Sequence, residues 1–372
     1  MSQTFQIPDA ALAETPLAVL LSAASPSAFE LTMHRGARTP LRFSEKASEL
    51  EALLYGAGVF DLGYRTFLRA AGKDRIRWLN GMITQTVKGL TAGQVAYTLV
   101  LNPQGRIQGD ADVYCYDDSM LLETDRSQSE RLLAHLRRFI IMDDVKLDEL
   151  DASRTALGIA GPLAVAILGK LGAAVPEPGT FRTAQVAGIE ATLAPGYSPA
   201  VPRLEIHVAA DQVLTLWNAL TAAGATPCGA AALADLRVLE GVGQFGVDFS
   251  DKHLPQEANL HRALSFTKGC YIGQEIVERI RSRATVHRAL RQFELAGSVP
   301  RLATGEKIEL RADDAVVGEL TSVADIHLPG FAMTLALGIA RIEALETSGR
   351  QPLTFDGGTA APLAEPPKIT HS

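Results

Sequence analysis

The sequence predicts an α+β protein whose C-terminal part is a small β-barrel or β-sandwich. Up to about residue 288, segments with the 3.6-residue spacing of helices alternate with segments that have strand-like alternation. From about residue 289 onward, only short strands separated by Gly and Pro turns are recognisable. The 372 residues allow two or three domains. We divide them into a loosely ordered extension (residues 1–28), a central region (29–288) and the C-terminal domain (289–372).

The first half of the chain is predicted to combine strands with two amphipathic helices. A strand over residues 66–70 precedes a helix that starts near residue 74, and a β-meander covers residues 95–123. Within the meander, Asn102-Pro103-Gln104-Gly105 is a strong turn pattern. Asp125 is then placed to cap the next helix. This order of strand, helix, strands and helix resembles half of a ferredoxin-like unit.

The second half of the central region, over residues 155–224, is again predicted to combine strands with helices. Residues 204–208 alternate strictly, so Glu205 and His207 are expected on one face of a strand. An amphipathic helix is predicted over residues 211–223, with Val213, Leu216, Trp217 and Leu220 facing inward, and a further helix over residues 230–240. Four strands are then expected over residues 290–295, 307–310, 315–321 and 332–339. The proline-containing tail after Gly358 is predicted to be frayed.

Composition excludes several classes of protein. Hydrophobic residues make up 47% and charged residues 21%, which is close to the globular average. The net charge of -7 argues against broad binding to nucleic acid. No apolar run approaches the ~20 residues that cross a bilayer, and the N-terminus lacks the basic and apolar segments of a secretory signal. We therefore expect a soluble cytoplasmic protein without membrane association. Separately, we expect a monomer, although nothing in the composition decides the oligomeric state.

Three cysteines, Cys115, Cys228 and Cys270, lie far apart and form neither a CxxC pair nor a zinc-binding spacing. An odd and sparse set suits a reducing compartment better than a disulfide scaffold. Cys115 lies in a predicted strand and Cys228 near a predicted helix start, and we interpret both as small buried hydrophobic residues.

Cys270 has a more informative environment. Gly269 and Gly273 bracket it, and Lys268 lies two positions before it. A positive charge and free backbone N–H groups stabilise a thiolate, so this thiol could attack a substrate, ligate iron or sense oxidants. The alternative is again a buried small hydrophobic residue.

Glu205, Asp110 and Arg237 are the other candidate site residues. The Glu205 carboxylate could accept paired N–H donors of a pterin or another heterocycle, but a solvated strand face is the alternative. Asp110 follows the turn at Gly105 and could hold a cationic amine or act as a base, although aspartate is also common in turns. Arg237 lies on a predicted helix, where a surface position is the alternative to a site.

Two further patterns are ambiguous. The spacing of Gly241, Gly243 and Gly246 fits GxGxxG, but the segment follows a helix rather than a strand, so a dinucleotide site is not predicted. A run of basic residues beyond Cys270 could bind phosphates or carboxylates, or could equally form a polar strand face. It consists of Arg279, Arg281, Arg283, His287, Arg288 and Arg291.

Several segments together resemble the glycine-cleavage T-protein family, from about residue 30 to residue 345. They are Gly58-Val59-Phe60-Asp61-Leu62, Gly72-Lys73-Asp74, Trp78-Leu79-Asn80, residues 101–107, Gly196-Tyr197, Leu204-Glu205-Ile206, residues 236–241, Gly246-Val247-Asp248 and residues 254–258. The octapeptide Lys268-Gly269-Cys270-Tyr271-Ile272-Gly273-Gln274-Glu275 departs from the T-protein, which has an acidic residue where Cys270 stands. It resembles the YgfZ branch of this superfamily, whose mitochondrial relatives assist iron–sulfur cluster assembly.

The resemblance implies a three-lobed ring around a folate-binding centre, with residues 29–288 forming two intertwined lobes and a β-barrel following. It implies tetrahydrofolate, or a one-carbon derivative, as the cofactor. Glu205 corresponds to the family's pterin-contacting glutamate, and Arg237 to an arginine that lines the same pocket. Tyr197, in the matching strand segment, and Asp110 are also assigned to cofactor binding. Cys270, Lys268 and Asp110 are the residues implied for the chemistry.

The resemblance also shows one departure. Aminomethyltransferases carry a pair of aspartates after the hairpin, whereas this chain has Gly109-Asp110, so we expect no useful rate of glycine cleavage. The first hypothesis is a folate-dependent accessory factor that supports assembly or repair of iron–sulfur enzymes, with Cys270 essential and with client enzymes or assembly proteins as partners. The second is an aminomethyltransferase or demethylase that uses Asp110. The third is a module in which folate is purely structural.

Overall fold

The computed structural model describes residues 13–24, 29–150, 153–283, 286–300, 302, 305–348 and 352–368. The helices of this part of the chain are α1 (Pro16–Ala24), α2 (Lys46–Tyr55), α3 (Arg75–Met82), α4 (Arg126–Arg137), α5 (Ala164–Lys170), α6 (Val213–Ala222), α7 (Ala230–Leu239), α8 (Gln274–Arg283) and α9 (Ile342–Thr347). Its strands are β1 (Glu30–His34), β2 (Ala37–Arg42), β3 (Gly58–Asp61), β4 (Arg65–Ala71), β5 (Val95–Leu101), β6 (Ile107–Cys115), β7 (Ser119–Asp125), β8 (Lys146–Glu149), β9 (Arg154–Ala160), β10 (Arg182–Val186), β11 (Ile189–Pro195), β12 (Arg203–Ala209), β13 (Thr226–Pro227), β14 (Arg288–Gly297), β15 (Ile308–Ala312), β16 (Ala315–Leu328), β17 (Phe331–Arg341), β18 (Leu353–Phe355) and β19 (Gly358–Pro362).

The first lobe is built on an antiparallel sheet with the strand order β5-β6-β7-β4-β8. One face of this sheet is apolar and forms a core with α3 and α4, to which Val113, Leu122 and Leu132 contribute. Because side chains alternate along strands, the opposite face carries a different set. There Tyr97 on β5 pairs with Asp112 on β6, and Asp112 pairs with Glu123 on β7. Around these residues the second face is polar and is directed toward the centre of the molecule; elsewhere it carries a small hydrophobic cluster.

The second lobe contains a sheet with the order β10-β11-β12-β9-β3-β13. Its apolar face packs against helices, and the predicted inward face of the helix over residues 211–223 is confirmed. The buried side chains on α6 are Val213, Leu216, Trp217 and Leu220. Glu205 and His207 share the opposite face of β12 as expected, and both are buried.

The C-terminal strands form a closed barrel with the order β14-β17-β16-β15-β18-β19. The prediction of a barrel or sandwich is thereby settled in favour of the barrel, and the α+β fold class is confirmed. The prediction of a frayed tail after Gly358 is wrong for β19, because this strand pairs with both β14 and β18 and buries Ala360. Beyond it, the N–H of Leu363 donates to the carbonyl of Gln292 at 2.8 Å, which continues the ordered chain.

One hydrophobic core joins the lobes to the barrel. It includes Leu50 and Leu53 of α2, Leu236 of α7, and Ile326 and Leu337 of the barrel strands. Since burial of apolar surface is the main stabilising term in folding, the barrel and the lobes stabilise each other.

The N-terminal extension is only partly within the described residues; its positions 1–12 and 25–28 lie outside them. The described part is not loosely ordered, because Leu17 and Ala18 of α1 are fully buried. The hydroxyl of Thr15 donates to the carboxylate of Asp61, which ties this segment to β3. Within the part of the chain that the structure describes, no helix has the length and apolarity needed to cross a bilayer.

Candidate functional site

A cavity of about 870 Å³ lies where the two lobes and the barrel meet. This volume is in the range of small-molecule sites. Its lining is polar and includes four of the residues predicted from the sequence: Asp110, Tyr197, Glu205 and Arg237. The other two predicted residues, Lys268 and Cys270, do not line it.

Asp110 lies within β6 rather than in a turn, so the turn interpretation is wrong. The hairpin closes at Gly105, and the strand has already begun at Ile107. Its carboxylate is held from two sides: the hydroxyl of Tyr97 donates to Oδ2 at 2.8 Å, and Nε2 of Gln128 donates to Oδ1 at 2.9 Å. The strand alternation directs this carboxylate to the cavity, with a fixed orientation.

Gly109, the neighbouring position where the related enzymes carry an aspartate, belongs to the other face of β6. A Cβ added there would lie 2.7 Å from Oε1 of Gln128 and 2.9 Å from Cδ2 of Leu132. Both are side chains of α4, so a side chain at this position would point into the helix layer. The glycine therefore removes no carboxylate from the cavity.

Glu205 is buried, with only 6% of its surface exposed. The alternative of a solvated strand face is therefore wrong for it. Nη2 of Arg203 lies 3.4 Å from its Oε1, and the guanidinium of Arg203 lies over the ring of Phe60. Glu205 thus forms a deep, negatively charged part of the cavity wall.

The centre of the site is an arginine that the sequence analysis did not identify. Arg65 Nη2 lies 3.1 Å from Asp112, Nε lies 3.2 Å from Glu123, and Nη1 lies 3.7 Å from Asp125. Burial acts to lower the pKa of Arg65, but the attraction of the surrounding carboxylates outweighs it and raises the pKa well above its usual value. The sequence did indicate an acidic strand face near this arginine. Asp110 and Asp112 are two residues apart, and this spacing places both side chains on one face of a strand.

The pKa values of two acidic partners of Arg65, Asp112 and Glu123, are shifted in opposite directions. The pKa of Asp112 is raised from 3.8 to about 6 by burial, and the attraction of Arg65 opposes this only in part. For Glu123, burial also acts to raise the pKa, but Arg65 and His207 together lower it below its usual range. The cavity wall therefore carries one carboxyl with a pKa of about 6, and a carboxyl that stays ionised lies buried behind it.

Asp125 does not cap α4 through its side chain, contrary to expectation. Its Oδ2 instead accepts a hydrogen bond from Arg35 at 3.0 Å. The reason is that β7 continues to residue 125, so the carboxylate follows the strand alternation toward Arg35 and Arg65.

Glu123, Glu205 and His207 offer ligand atoms within 4.8 Å of one another, which is a possible arrangement for a metal ion. The guanidinium of Arg65, however, already lies 3.2 Å from Glu123. A divalent cation in the same place would be repelled by this permanent positive charge. We therefore assign these residues to a charge network around Arg65, and not to a metal centre.

Arg237 lines the cavity, but its guanidinium is used to hold the wall together. It donates to the carbonyl of Val242 at 2.9 Å, to Oγ of Ser322 at 2.8 Å and to the carboxylate of Asp248. These bonds connect α7 to the following loop and to barrel strand β16. Arg237 is thus a half-buried structural residue of the site rather than a surface residue.

The loop after α7 also lines the cavity, through residues 241–245. Gly243 packs closely against the barrel. A Cβ at this position would lie 2.6 Å from Cδ2 of Leu290 on β14, so a larger residue would require the Leu290 side chain to move.

Tyr197 contacts an arginine that the sequence analysis missed. The Cζ atom of Arg262 lies 3.7 Å from the centroid of the Tyr197 ring and 3.6 Å from that of Tyr97. Burial and the neighbouring Asp110 raise the pKa of Tyr97 well above its usual value, so its hydroxyl stays protonated and donates to Asp110.

Cys270 is exposed, on a loop that precedes α8. Lys268 does not point its ammonium at this thiol. Its Nζ donates to the carbonyls of Asn80 and Ile83, both at 2.7 Å, and of Gln85 at 2.9 Å. Burial lowers the pKa of Lys268 to about 8. The expectation that Lys268 stabilises a Cys270 thiolate is therefore wrong. All three N–H donors of the ammonium are used for carbonyl groups, so Lys268 has a structural role.

The remaining cysteines and the basic run have simpler roles. Cys115 and Cys228 are buried, as interpreted from the sequence.

The basic run is divided between α8, which carries Arg279 and Arg281, and the start of β14. Arg288 pairs with Glu257 at 2.8 Å, and only Arg291 reaches the cavity; the side chain of Arg283 lies outside the described residues.

Comparison with known proteins gives consistent matches along most of the chain. A family model described as the GCVT N-terminal domain matches residues 23–268. An aminomethyltransferase from Nostoc sp. strain PCC 7120 is 27% identical over 329 residues, which is 82% of this chain and 83% of its own. A chloroplastic putative transferase from Arabidopsis thaliana is 25% identical over 284 residues, 75% of this chain and 65% of its own.

A solved structure shows the same fold. The glycine cleavage system aminomethyltransferase T from Bartonella henselae superimposes with a TM-score of 0.80 over 95% of this chain and 96% of its own, at 18% sequence identity. The arrangement of two lobes and a barrel is therefore shared with that protein.

Proposed function

The chain belongs to the family of the GCVT N-terminal domain, and from this premise we propose that it binds tetrahydrofolate, or a one-carbon derivative, and supports the assembly or repair of iron–sulfur enzymes through Cys270. The observation that carries the folate part is the cavity of about 870 Å³, with the buried carboxylate of Glu205 in its wall. Tetrahydrofolate binding is in line with the curated relatives that are named aminomethyltransferase.

The chemistry of the cavity suits a reduced pterin. A pterin presents adjacent N–H groups, and a carboxylate accepts such paired donors in two parallel hydrogen bonds. Glu205 is placed to do so from the deep end of the cavity, where water competes least. Asp110 and Asp112 offer further acceptors on the facing sheet.

The accessory role rests on Cys270. It is the exposed thiol among the described residues, since Cys115 and Cys228 are buried, and its octapeptide resembles the YgfZ branch. One thiol cannot hold a cluster alone, because clusters are usually bound by about four protein ligands. The proposed action is therefore a transient contact of the thiol with iron, sulfur or a cysteine of an iron–sulfur client enzyme or assembly protein.

Two measurements test the proposal. Titration calorimetry with tetrahydrofolate should detect binding to the purified protein. In cells that lack the protein, the wild type should restore iron–sulfur enzyme activity, whereas Cys270→Ala and Cys270→Ser should not, although both fold and bind folate. Thr267→Ala on the same exposed loop is the matched control and should restore activity. Full restoration of iron–sulfur enzyme activity by both cysteine variants would rule out the proposed chemistry of the thiol.

One-carbon transfer is the second candidate, and a specific observation favours it. The Asp110 carboxylate is retained, oriented by Tyr97 and Gln128, and directed at the cavity, and the glycine at position 109 leaves the cavity side of β6 unchanged. Asp110 could hold a cationic amine beside the folate or act as its base. Turnover with tetrahydrofolate and an aminomethyl donor, abolished in Asp110→Asn, would establish this function. We still expect no rate comparable to an authentic T-protein.

A further inference from the structure

Arg262 occupies a narrow space inside the cavity between two tyrosines. Its Cζ atom lies 3.6 Å from the ring centroid of Tyr97 and 3.7 Å from that of Tyr197. At such distances the guanidinium contacts the faces of the rings, since an edge-on approach would overlap the ring atoms. The two rings come from different lobes, Tyr97 from β5 and Tyr197 from the segment that connects β11 to β12.

The guanidinium is held only weakly. Among the described residues it has no hydrogen bond and no ion pair; its electrostatic partners are the two rings and, at longer range, Asp112. Its backbone is fixed separately, in the turn His261–Ala263, where the carbonyl of Arg262 accepts a hydrogen bond from Gln85 at 3.4 Å. The side chain can therefore leave the space between the rings without disturbing the backbone.

The walls of this space have the positions and chemistry of an aromatic binding site. The Tyr97 ring is fixed through its hydroxyl, which donates to Asp110. Tyr197 is 49% exposed, whereas Glu205 is 6% exposed, so the space lies on the solvent side of the cavity and Glu205 at its deep end. A planar group that replaces the planar guanidinium would meet both ring faces at stacking distance.

We propose that the space between Tyr97 and Tyr197 is the subsite for the aminobenzoyl ring of a reduced folate, and that Arg262 is a gate residue that fills it until the ligand enters. The inference rests on the proposed function, which places the pterin at Glu205. A folate whose pterin lies at the deep end carries its second aromatic ring toward the solvent side. Arg262 must leave the subsite for this ring to enter, so its two cation–π contacts oppose folate binding.

The test compares two probes on three proteins by calorimetry: the wild type, Arg262→Ala and the control Arg291→Ala. The probes are tetrahydrofolate and 6-methyltetrahydropterin, which lacks the aminobenzoyl ring. Loss of two cation–π contacts should tighten tetrahydrofolate binding to Arg262→Ala by about 5- to 30-fold, while the affinity for 6-methyltetrahydropterin stays the same. Arg291→Ala removes a positive charge from the same cavity and should not tighten binding.

A complementary variant tests the subsite itself. Tyr197→Ala removes one wall and should weaken tetrahydrofolate binding without weakening the binding of 6-methyltetrahydropterin. Equal or weaker tetrahydrofolate binding by Arg262→Ala would overturn the gate, because it would mean that Arg262 is neutral or attracts the ligand. Absence of tetrahydrofolate binding to both the wild type and Arg262→Ala would overturn the proposed function and this inference with it.

Discussion

The hydroxyl of Tyr97 donates a hydrogen bond of 2.8 Å to Oδ2 of Asp110. The two side chains lie on neighbouring strands, β5 and β6, and face the same cavity. The acidic group that could serve one-carbon chemistry is thereby connected to a wall of the proposed aromatic subsite. A change in one of them is expected to displace the other.

Tyr97→Phe should destabilise the protein by about 1–2 kcal/mol, because it removes a partly buried hydrogen bond to a carboxylate. Urea unfolding measures this effect. The control is Tyr197→Phe, whose hydroxyl has no hydrogen bond within the described residues, and which should stay within about 0.5 kcal/mol of the wild type. Equal stabilities of the two variants would show that the Tyr97–Asp110 bond contributes nothing to the fold.

Glu205→Ala should weaken tetrahydrofolate binding by about 1.5–3 kcal/mol, the usual contribution of hydrogen bonds to a charged group. Calorimetry on the purified variant provides the measurement. Glu190→Ala is a suitable control because Glu190 lies on the adjacent strand β11 and is exposed. An unchanged affinity in the Glu205 variant would mean that the pterin does not contact this carboxylate.

Asp112 should make the stability depend on pH. Its pKa is raised from 3.8 to about 6 by burial, so the folded protein keeps a proton that the unfolded chain has already lost. This contribution to stability is fully present below pH 3.8 and is lost as the pH rises through about 6. Relative to the wild type, Asp112→Asn should therefore gain about 1–3 kcal/mol of stability between about pH 4 and pH 7.

Urea unfolding of both proteins at the two ends of this range would measure the difference. The exposed Asp211→Asn substitution controls for the loss of one negative charge. A stability difference that is flat, or that falls with pH, would show that Arg65 keeps the Asp112 carboxyl ionised in the folded state.

Lys268→Met should destabilise the protein by about 2–4 kcal/mol, since it leaves three carbonyl acceptors without their donor. Hydrogen exchange should increase in the loop over residues 265–273, which would lose its side-chain connection to residues 80–85 while keeping the backbone hydrogen bonds from Ser265 to Thr84 and from Ile272 to Gly81. Lys252→Met, at an exposed position, is the control. The reaction rate of Cys270 with a thiol reagent should not fall in Lys268→Met. A clear decrease in this rate would show that Lys268 does activate the thiol.

The sequence was sufficient for features that depend on local periodicity. The buried face of α6 and the shared face of Glu205 and His207 follow from spacings of 3.6 and 2.0 residues, respectively. The connections of Lys268 could not be predicted in this way, because its carbonyl partners lie 183 to 188 residues earlier in the chain. The same holds for Arg65, whose carboxylate partners are brought together by the pairing of β4, β6 and β7 and not by any short motif.

Asp110 shows a different limit. A turn pattern identified the hairpin correctly but did not show where the turn ends and the strand begins. A shift of a few residues in that boundary decides whether a carboxylate is free in a loop or faces a cavity, because adjacent strand residues point to opposite sides.

The C-terminal segment carries a consequence for how this protein is made. Residues 363–366 line the cavity, and they are synthesised after every other part of its wall. Until these residues have left the exit tunnel of the ribosome, the cavity lacks one side even when both lobes have emerged. Ligand capture can thus be complete only once this late-synthesised segment has joined the wall.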